Sequence, residues 1–435
     1  MDSLKVGPSR NPQAWQAALY GDDDKLLQQL CANESPGATY FQLATFINGL
    51  YRSTQHPLVV AGIAPAVDVT TKINRVLPHL KALRKRMGWQ QRELDIDLMC
   101  WIRRASALSI VLGAGVTIAA GGPSWMDLVN LLLDIALEKG HEVTTMVPTE
   151  DSTPEKKEVR RKVIRVERFD KKQEKEAKNI QKLINKNKAT TEDLMRGAQL
   201  CYDLFGQHLF THLTQIIYSR ATEPGPIHRA IAELAHGQFV PDRGPGIFPG
   251  WDAIISYNFD DLMGEALAEL KIPHARWAMR KGEIAGDPDE SARKAGQQGW
   301  YQSIYHLHGY TPRKLFLITH VEFVFSTAQY FQIYQKGGGI IDKILNEYLA
   351  NPVHVALYIG CSFSDEAMNN LLREAAKKYP GRFHFVILKL PNKFKKKEPS
   401  AGELEKLSEF YYEMDVYPIW VHEFSEIPEI IQRLK

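Results

Sequence analysis

Leu108-Ser109-Ile110-Val111-Leu112-Gly113-Ala114-Gly115-Val116-Thr117-Ile118-Ala119-Ala120-Gly121-Gly122-Pro123-Ser124-Trp125 decides how the rest of the chain is read. It opens as a short apolar, β-branched run, the pattern of a strand buried on both faces of a parallel sheet. It breaks at Gly113 and Gly115 and resumes in small residues with helical spacing. A strand, a glycine turn and a helix start together set backbone N–H groups and a positive dipole end where a phosphate can sit. Glycine suits that turn because a Cβ would hold a diphosphate off the backbone. Gly-x-Gly after a strand also occurs in α/β proteins simply as tight packing, and this stretch alone does not choose between the two.

Three further strand-like runs carry polar residues at their carboxyl ends: Ala253 to Ser256 before Tyr257-Asn258-Phe259-Asp260, Ser303 to Leu307 before His308-Gly309, and Val355 to Ile359 before Gly360-Cys361-Ser362-Phe363-Ser364-Asp365. Helical patterns follow the first and third, and a fourth run, Phe383 to Leu388, comes after a helix expected at 366–379. Strands alternating with helices predict an α/β, Rossmann-like, doubly wound parallel sheet. In such sheets ligands bind beyond the carboxyl ends of the strands, where these clusters fall.

Residues 1–105 read as a helical N-terminal extension, with a helix start at Asn11-Pro12, helices near 40–52, 70–87 and 90–105, and a break at 57–65. Residues 106–435 are expected to form the main domain, with a charged helical insertion at about 140–220. In its Lys- and Glu-rich part, Val159, Val163 and Val166 leave a thin apolar stripe, read as a protruding helix. His228, in the first turn of a helix opening at Gly225-Pro226, reads as a cap or packing residue. After a basic loop from Lys393 to Lys397, the chain is expected to close with one helix and a terminal strand.

At 435 residues and 44% hydrophobic, the chain can bury a large core. A net charge of +3 makes no demand for a polyanionic partner, and acidic residues interleave the basic ones in the insertion, so direct nucleic-acid binding is not expected. Four scattered cysteines, Cys31, Cys100, Cys201 and Cys361, give neither a Cys-x-x-Cys metal pair nor a disulfide framework. With no signal-peptide core at the N-terminus and no uninterrupted apolar span, a cytoplasmic protein without a membrane segment is expected.

Taken together, the four strand ends resemble the sirtuin family, and more closely its divergent bacterial branch of sirtuin-like NAD hydrolases in anti-phage defence. Gly113-Ala114-Gly115-Val116-Thr117 resembles that family's Gly-Ala-Gly-x-Ser loop, with Thr in the Ser place. Asn258-Phe259-Asp260 resembles its Asn-x-Asp motif, His308-Gly309 its catalytic His-Gly, and Gly360 to Asp365 its later NAD-contacting turn. The similarity spans roughly 105–390.

The resemblance implies NAD as substrate, with Asn258, Asp260 and His308 catalytic, and Gly113, Ala114, Gly115, Thr117, Trp125, Gly360, Ser362, Phe363 and Ser364 as NAD-binding positions. Asn258 would bond a ribose hydroxyl or position water; its plainer role is a strand-end turn. Asp260 would receive the nicotinamide carboxamide, or else cap the next helix. His308 suits a general base near neutrality, and neighbouring His306 shares its face by the two-residue period of a strand, so the residues alone leave it open; Gly309 and the resemblance favour His308. Trp125 would screen the reaction centre or simply fill core. Ser362 and Ser364 would contact diphosphate or adenine ribose, or cap the helix from Asp365.

Departures from the deacetylating sirtuins are equally informative. No cysteine stands between 309 and 359, where those enzymes hold a four-cysteine zinc module, and Ser124-Trp125-Met126 replaces their Asp-Phe-Arg. No zinc or other metal is therefore expected, and NAD cleavage to nicotinamide and ADP-ribose displaces deacylation as the implied reaction. Two alternatives stand beside it: a non-catalytic nucleotide-binding sensor or assembly subunit, and a zinc-free deacylase or ADP-ribosyltransferase. The resemblance also implies a homo-oligomer and partnership with a HerA-like ATPase.

Overall fold

In the computed structural model, the run Leu108–Leu112 is the strand the sheet is built on: all five residues are buried and it has a parallel neighbour on each side. The structure describes residues 36–53, 69–104, 108–138, 141–148, 160–235, 238–239, 247–248, 251–280, 283–288, 301–313, 323–326, 329–330, 344–394 and 398–434. The main sheet has eight strands: β1 (Leu108–Leu112), β2 (Ile254–Ser256), β3 (His274–Arg280), β4 (Glu283–Pro288), β5 (Gln302–His306), β6 (Val355–Ile359), β7 (His384–Lys389) and β8 (Val416–Val421). They lie in the order β8-β7-β6-β1-β2-β5-β3-β4, every neighbouring pair parallel except the edge hairpin β3–β4. From β1 the chain goes to β2 on one side, whereas from β6 it continues to β7 on the other. The order reverses between β1 and β6, the crevice position of a Rossmann-like fold.

Helices α1 (Pro36–Ser53), α2 (Val69–Met87) and α3 (Gln91–Arg104) precede β1. After it come α4 (Ala114–Ala119), α5 (Trp125–Glu138), α6 (Lys171–Asn185), α7 (Thr191–Phe205), α8 (Leu209–Arg220), α9 (Pro226–Leu234), α10 (Leu262–Glu269), α11 (Glu366–Lys378), α12 (Ala401–Tyr412) and α13 (Ile427–Gln432). Alternation along β1 sends Leu108, Ile110 and Leu112 to a core shared with Leu43, Ile47 and Ile73 of the extension, Ile231 of α9 and Ile430 of α13. Val111 points the other way, into a core with Met368 and Leu372 of α11. The described part of the N-terminal extension is thus a covering layer of the sheet, and each Leu or Ile it buries contributes about 1.5–3 kcal/mol. Asp95 pins it internally, accepting from Tyr40 Oη at 2.8 Å, from Gln91 Nε2 at 2.8 Å and from the Arg84 guanidinium.

The insertion has its own core, in which Leu132 of α5, Ile180 of α6, Cys201 of α7 and Leu213 of α8 meet. Not all of it is helical. Arg160–Glu167 pairs antiparallel with His141–Pro148, placing Val163 opposite Thr145 and Arg165 opposite Val143. Val163 and Val166, read as part of a helical stripe, are strand residues: the run is β-branched at Val163, Ile164 and Val166, and Val163 and Ile164 pair with β-branched Thr145 and Thr144. Among the described residues of the insertion, helix begins at α6, where Asp170 accepts from Lys172 N and Gln173 N, both at 2.8 Å, in a capping box. The expected terminal strand, β8, is followed by α13, in which Ile427, Ile430 and Ile431 recur at helical spacing and are buried.

The helix start at Asn11-Pro12, the break at 57–65, Val159 and Lys395 to Lys397 lie outside the described residues. Cys100, Cys201 and Cys361 form no disulfide. No described helix is long and apolar enough to cross a membrane.

Candidate active site

Parallel pairing carries on for one residue past the sheet. Tyr257 N donates to Leu112 O at 3.0 Å, and Leu307 N donates to Ser256 O at 2.9 Å. The segments Tyr257-Asn258 and Leu307-His308 therefore leave adjacent strands side by side. Gly309, with φ of 78°, turns the chain directly after His308, and Thr311 N then donates to Phe259 O at 2.7 Å, tying the two loops together. Asn258 is buried, and its N–H donates to Ser256 Oγ at 3.1 Å. Its side-chain amide hydrogen-bonds no other described residue. A buried amide of this kind is satisfied by a bound hydroxyl or water.

His308 lies within a ring of aromatic side chains. Tyr257 meets it edge-on at 5.1 Å between centroids, and Phe259 lies 6.4 Å away. Phe259 in turn contacts Trp125 at 6.2 Å, Phe323 at 6.0 Å and Phe325 at 5.8 Å, and Trp125 meets Phe325 at 5.0 Å. The segment carrying Phe323 and Phe325 is docked by Val324 N donating to His308 O at 3.1 Å. Burial lowers the His308 pKa to about 4, against the opposing pull of the Asp365 carboxylate, so the imidazole is neutral and able to accept a proton at neutral pH. Asp365 caps α11 through Met368 N at 3.0 Å and accepts from Tyr330 Oη at 2.7 Å.

His306 has different surroundings. The strand ends at His306, so the two-residue period that would align the two histidines stops there. His306 is 1% exposed, stacks on Tyr310 at 4.3 Å, and is lowered to about 3 by burial and then by the Arg276 charge. Both imidazoles border the Asn258 loop, the Asn258 backbone opposing the lowering at His306; His308 is the one that lies past the strand end against Tyr257 and Phe259.

The glycine turn is explained first by close backbone contact. Gly113 N donates to Ile359 O at 2.9 Å and Gly115 N to Gly360 O at 3.0 Å, while Val116 N donates to Gly113 O at 3.0 Å. A Cβ on Gly113 would stand 2.4 Å from Gly360 O, and one on Gly115 would stand 2.8 Å from Gly360 Cα. These three amides are engaged within the fold, and Ala114 is the exposed residue of the turn. Thr117 and Asp260 are both buried and joined by a hydroxyl–carboxylate hydrogen bond. The other Asp260 oxygen accepts from Leu262 N at 3.0 Å, capping α10. Both oxygens of that carboxylate therefore have protein partners.

Ser362 and Ser364 are exposed and bond each other at 2.7 Å between their Oγ atoms. Phe363, at φ of 54°, turns its ring into the core against Tyr358 at 5.0 Å and Tyr411 at 5.4 Å, so any ligand contact from this position comes from its backbone. His228 caps its helix: Gly225 N donates to its Nδ1 at 3.2 Å.

Sequence reasoning did not single out Tyr257, Phe259, Phe323, Phe325 or the charge of Asp365 as parts of the site. Tyr257 and Phe259 flank Asn258 at alternating positions, a signal that was available; Phe323 and Phe325 sit in no motif. Among the described residues no group of three or more His, Cys, Asp or Glu is arranged to hold a metal.

The arrangement brings a neutral imidazole, an amide with no side-chain partner among the described residues and a partly buried aromatic wall to the carboxyl ends of adjacent strands. A comparison with curated proteins finds no match. Residues 252–411, the part holding Asn258, Asp260, His308 and the turn at 360–365, match the model of the SIR2-like domain, a family whose members are often NAD-dependent enzymes.

Proposed function

We propose that the chain is an NAD glycohydrolase, releasing nicotinamide and ADP-ribose. The observation that carries this is the side-by-side exit of Asn258 and His308 from adjacent strands, with the Asn258 amide unspent and the imidazole neutral. The bond from ribose C1′ to the pyridinium nitrogen already has a good leaving group. In this reading the bond electrons go to nicotinamide, which leaves neutral, and the ribose develops oxocarbenium character. A water oxygen bonds to C1′ and its proton passes to His308. Asn258 holds a ribose hydroxyl or that water without adding a charge that would trap the cation, and Trp125, Tyr257 and Phe259 limit access of bulk water.

The SIR2-like match and the resemblance of the strand ends support NAD as the substrate. The committed carboxylate of Asp260 makes it a positioning residue between Thr117 and α10 in this reading, in place of a carboxamide receptor. An anti-phage role by NAD depletion in the cytoplasm, a homo-oligomer and a HerA-like ATPase partner rest on the resemblance alone.

The test is to incubate the purified protein with NAD and quantify nicotinamide and ADP-ribose for wild type, Asn258→Ala and His308→Ala. A loss of about 10²–10⁴-fold is expected for His308→Ala. Turnover unaffected by both substitutions would sink the assignment. Where the isolated protein is silent, total NAD is read in cells co-expressing a candidate ATPase. NAD bound but intact under that condition transfers the site to the nucleotide-sensor reading.

A further inference from the structure

Helix α6 sorts charges that are mixed along the chain. Ala177, Ile180 and Ile184 turn into the insertion core, while Lys171, Lys175, Lys178, Lys182 and, at the C-cap, Lys186 are exposed. Their spacing of three or four residues puts them on one side of the helix, in a row of about 22 Å at 1.5 Å per residue. Residues 171–188 hold seven lysines and two carboxylates, a net charge of +5 against +3 for the whole chain.

Both carboxylates are committed. Glu174 accepts from Lys178 Nζ at 2.5 Å, and Glu176 pairs with Arg196 of α7 at 3.3 Å. Asp170, just before them, is taken up by the N-cap. Lys171, Lys175, Lys182 and Lys186 make no ion pair among the described residues. The interleaving of acids that made a polyanionic partner unexpected from the sequence is therefore lost on this surface.

Helix stability does not account for the row. Lys171 and Lys172 stand in the first turn, where the helix dipole disfavours cations, and like charges four residues apart repel. The helix is nevertheless held in place: Asp170 and Gln173 form its capping box, and Gln181 Nε2 donates to Asp134 Oδ1 of α5 at 2.6 Å. The lysines are displayed on a fixed element.

What lies between the lysines narrows the partner. Helix α6 contains no aromatic residue, and its exposed positions between the lysines include Asn179 and Asn185 but no apolar side chain. Protein interfaces are anchored by aromatic and apolar groups, membrane-surface helices by inserted ones, and single-stranded nucleic acid by stacking rings. Lysine and asparagine side chains are among the donors that contact phosphate oxygens, and a straight, fixed row of them suits an equally stiff line of phosphates.

We propose that the exposed side of α6 binds the phosphate backbone of double-stranded nucleic acid without regard to sequence. The proposal stands apart from the NAD reading and does not need it.

The test is fluorescence anisotropy of the full chain with labelled DNA and RNA duplexes of about 24 base pairs and with the single DNA strand, alongside co-sedimentation with phosphatidylserine vesicles. For at least one duplex a Kd of about 1 µM or tighter is expected at about 50 mM NaCl, alike for two unrelated sequences. It should rise about a hundredfold at about 200 mM, as roughly four phosphate contacts require. Lys175→Glu with Lys182→Glu should weaken binding about tenfold or more. The first change favours the helix dipole and the second opposes it, so the melting temperature should stay at the wild-type value. Lys378→Glu with Lys406→Glu, at exposed positions of α11 and α12, makes the same change of net charge elsewhere and should leave Kd within about twofold. The ratio of DNA to RNA affinity names the source of the phosphates. No duplex binding at the lower salt, a Kd indifferent to salt, equal loss in the two double variants, tighter binding of the single strand, or equal binding of the vesicles would each overturn the proposal.

Discussion

Thr117 and Asp260, 143 residues apart in the chain, are joined by a hydrogen bond from the threonine hydroxyl to the buried carboxylate. The bond fastens the helix after the glycine turn to the loop that carries Asn258. It holds Asn258 indirectly, because the other oxygen of Asp260 is fixed by the start of α10. Thr117→Val keeps the shape and removes the donor, leaving one Asp260 oxygen buried and unpaired. A loss of about 1–3 kcal/mol is expected in urea unfolding, with Thr117→Ser close to wild type. Equal stability of the Val and Ser variants would show that the hydroxyl does not matter.

The second prediction concerns pH. An unperturbed histidine base, with pKa of about 6.5, is only about 3% deprotonated at pH 5, whereas one titrating at about 4 is about 90% deprotonated there. The lowered value moves the acid limb downward, so kcat/KM for NAD cleavage should stay nearly level from pH 7.5 to 5. Initial rates of nicotinamide release at three pH values decide it. A fall of about thirtyfold by pH 5 would mean that His308 is not the base or is not held neutral.

A third prediction tests the contact between the two glycine turns. Gly360 has φ of 69°, and a Cβ there would lie 2.6 Å from Val116 N. Gly360→Ala combines a left-handed backbone penalty with a clash against backbone that has no free direction to move. About 2–4 kcal/mol of destabilisation is expected. Gly402→Ala, in the first turn of α12 with nothing within 4 Å of the added carbon, is the control and should be neutral or stabilising by up to about 1 kcal/mol. Similar melting temperatures for the two variants would contradict the packing described.

The sheet was legible because its strands are buried on both faces: Ile110-Val111-Leu112 and Val355 to Ile359 are unbroken apolar runs that a surface helix would not carry. Strands β3 and β4 were not legible, since His274–Arg280 mixes charge with apolar residues at the sheet's margin. The strand Arg160–Glu167 was not legible because the spacing of Val159, Val163 and Val166 fits a helix, while the partner residues that make it a strand lie 12 to 26 positions earlier, in His141–Pro148. At the site, Asn258 and His308 stood out as polar residues at strand ends. The aromatic wall did not, because Trp125, Phe259 and Phe325 come together only through the docking of distant segments.

The last prediction uses the buried imidazole beside the site. His306 is held neutral down to about pH 3, while in the unfolded chain it titrates near 6.5. Between those values the unfolded chain binds a proton that the folded chain does not, so this residue lowers stability progressively as pH falls through that window. His306→Phe removes the proton site and keeps a flat ring of similar breadth against Tyr310. Urea unfolding of both proteins at pH 7.5 and pH 4.5 isolates the effect, since every other titrating group, including buried Asp261 and Asp415 with their raised pKa values, cancels in the difference. On going from pH 7.5 to 4.5 the variant should gain about 2–3 kcal/mol relative to wild type. Parallel pH dependence of the two proteins would show that His306 is protonated in the fold, and the separation of the two histidines into an inert and a reactive one would fail with it.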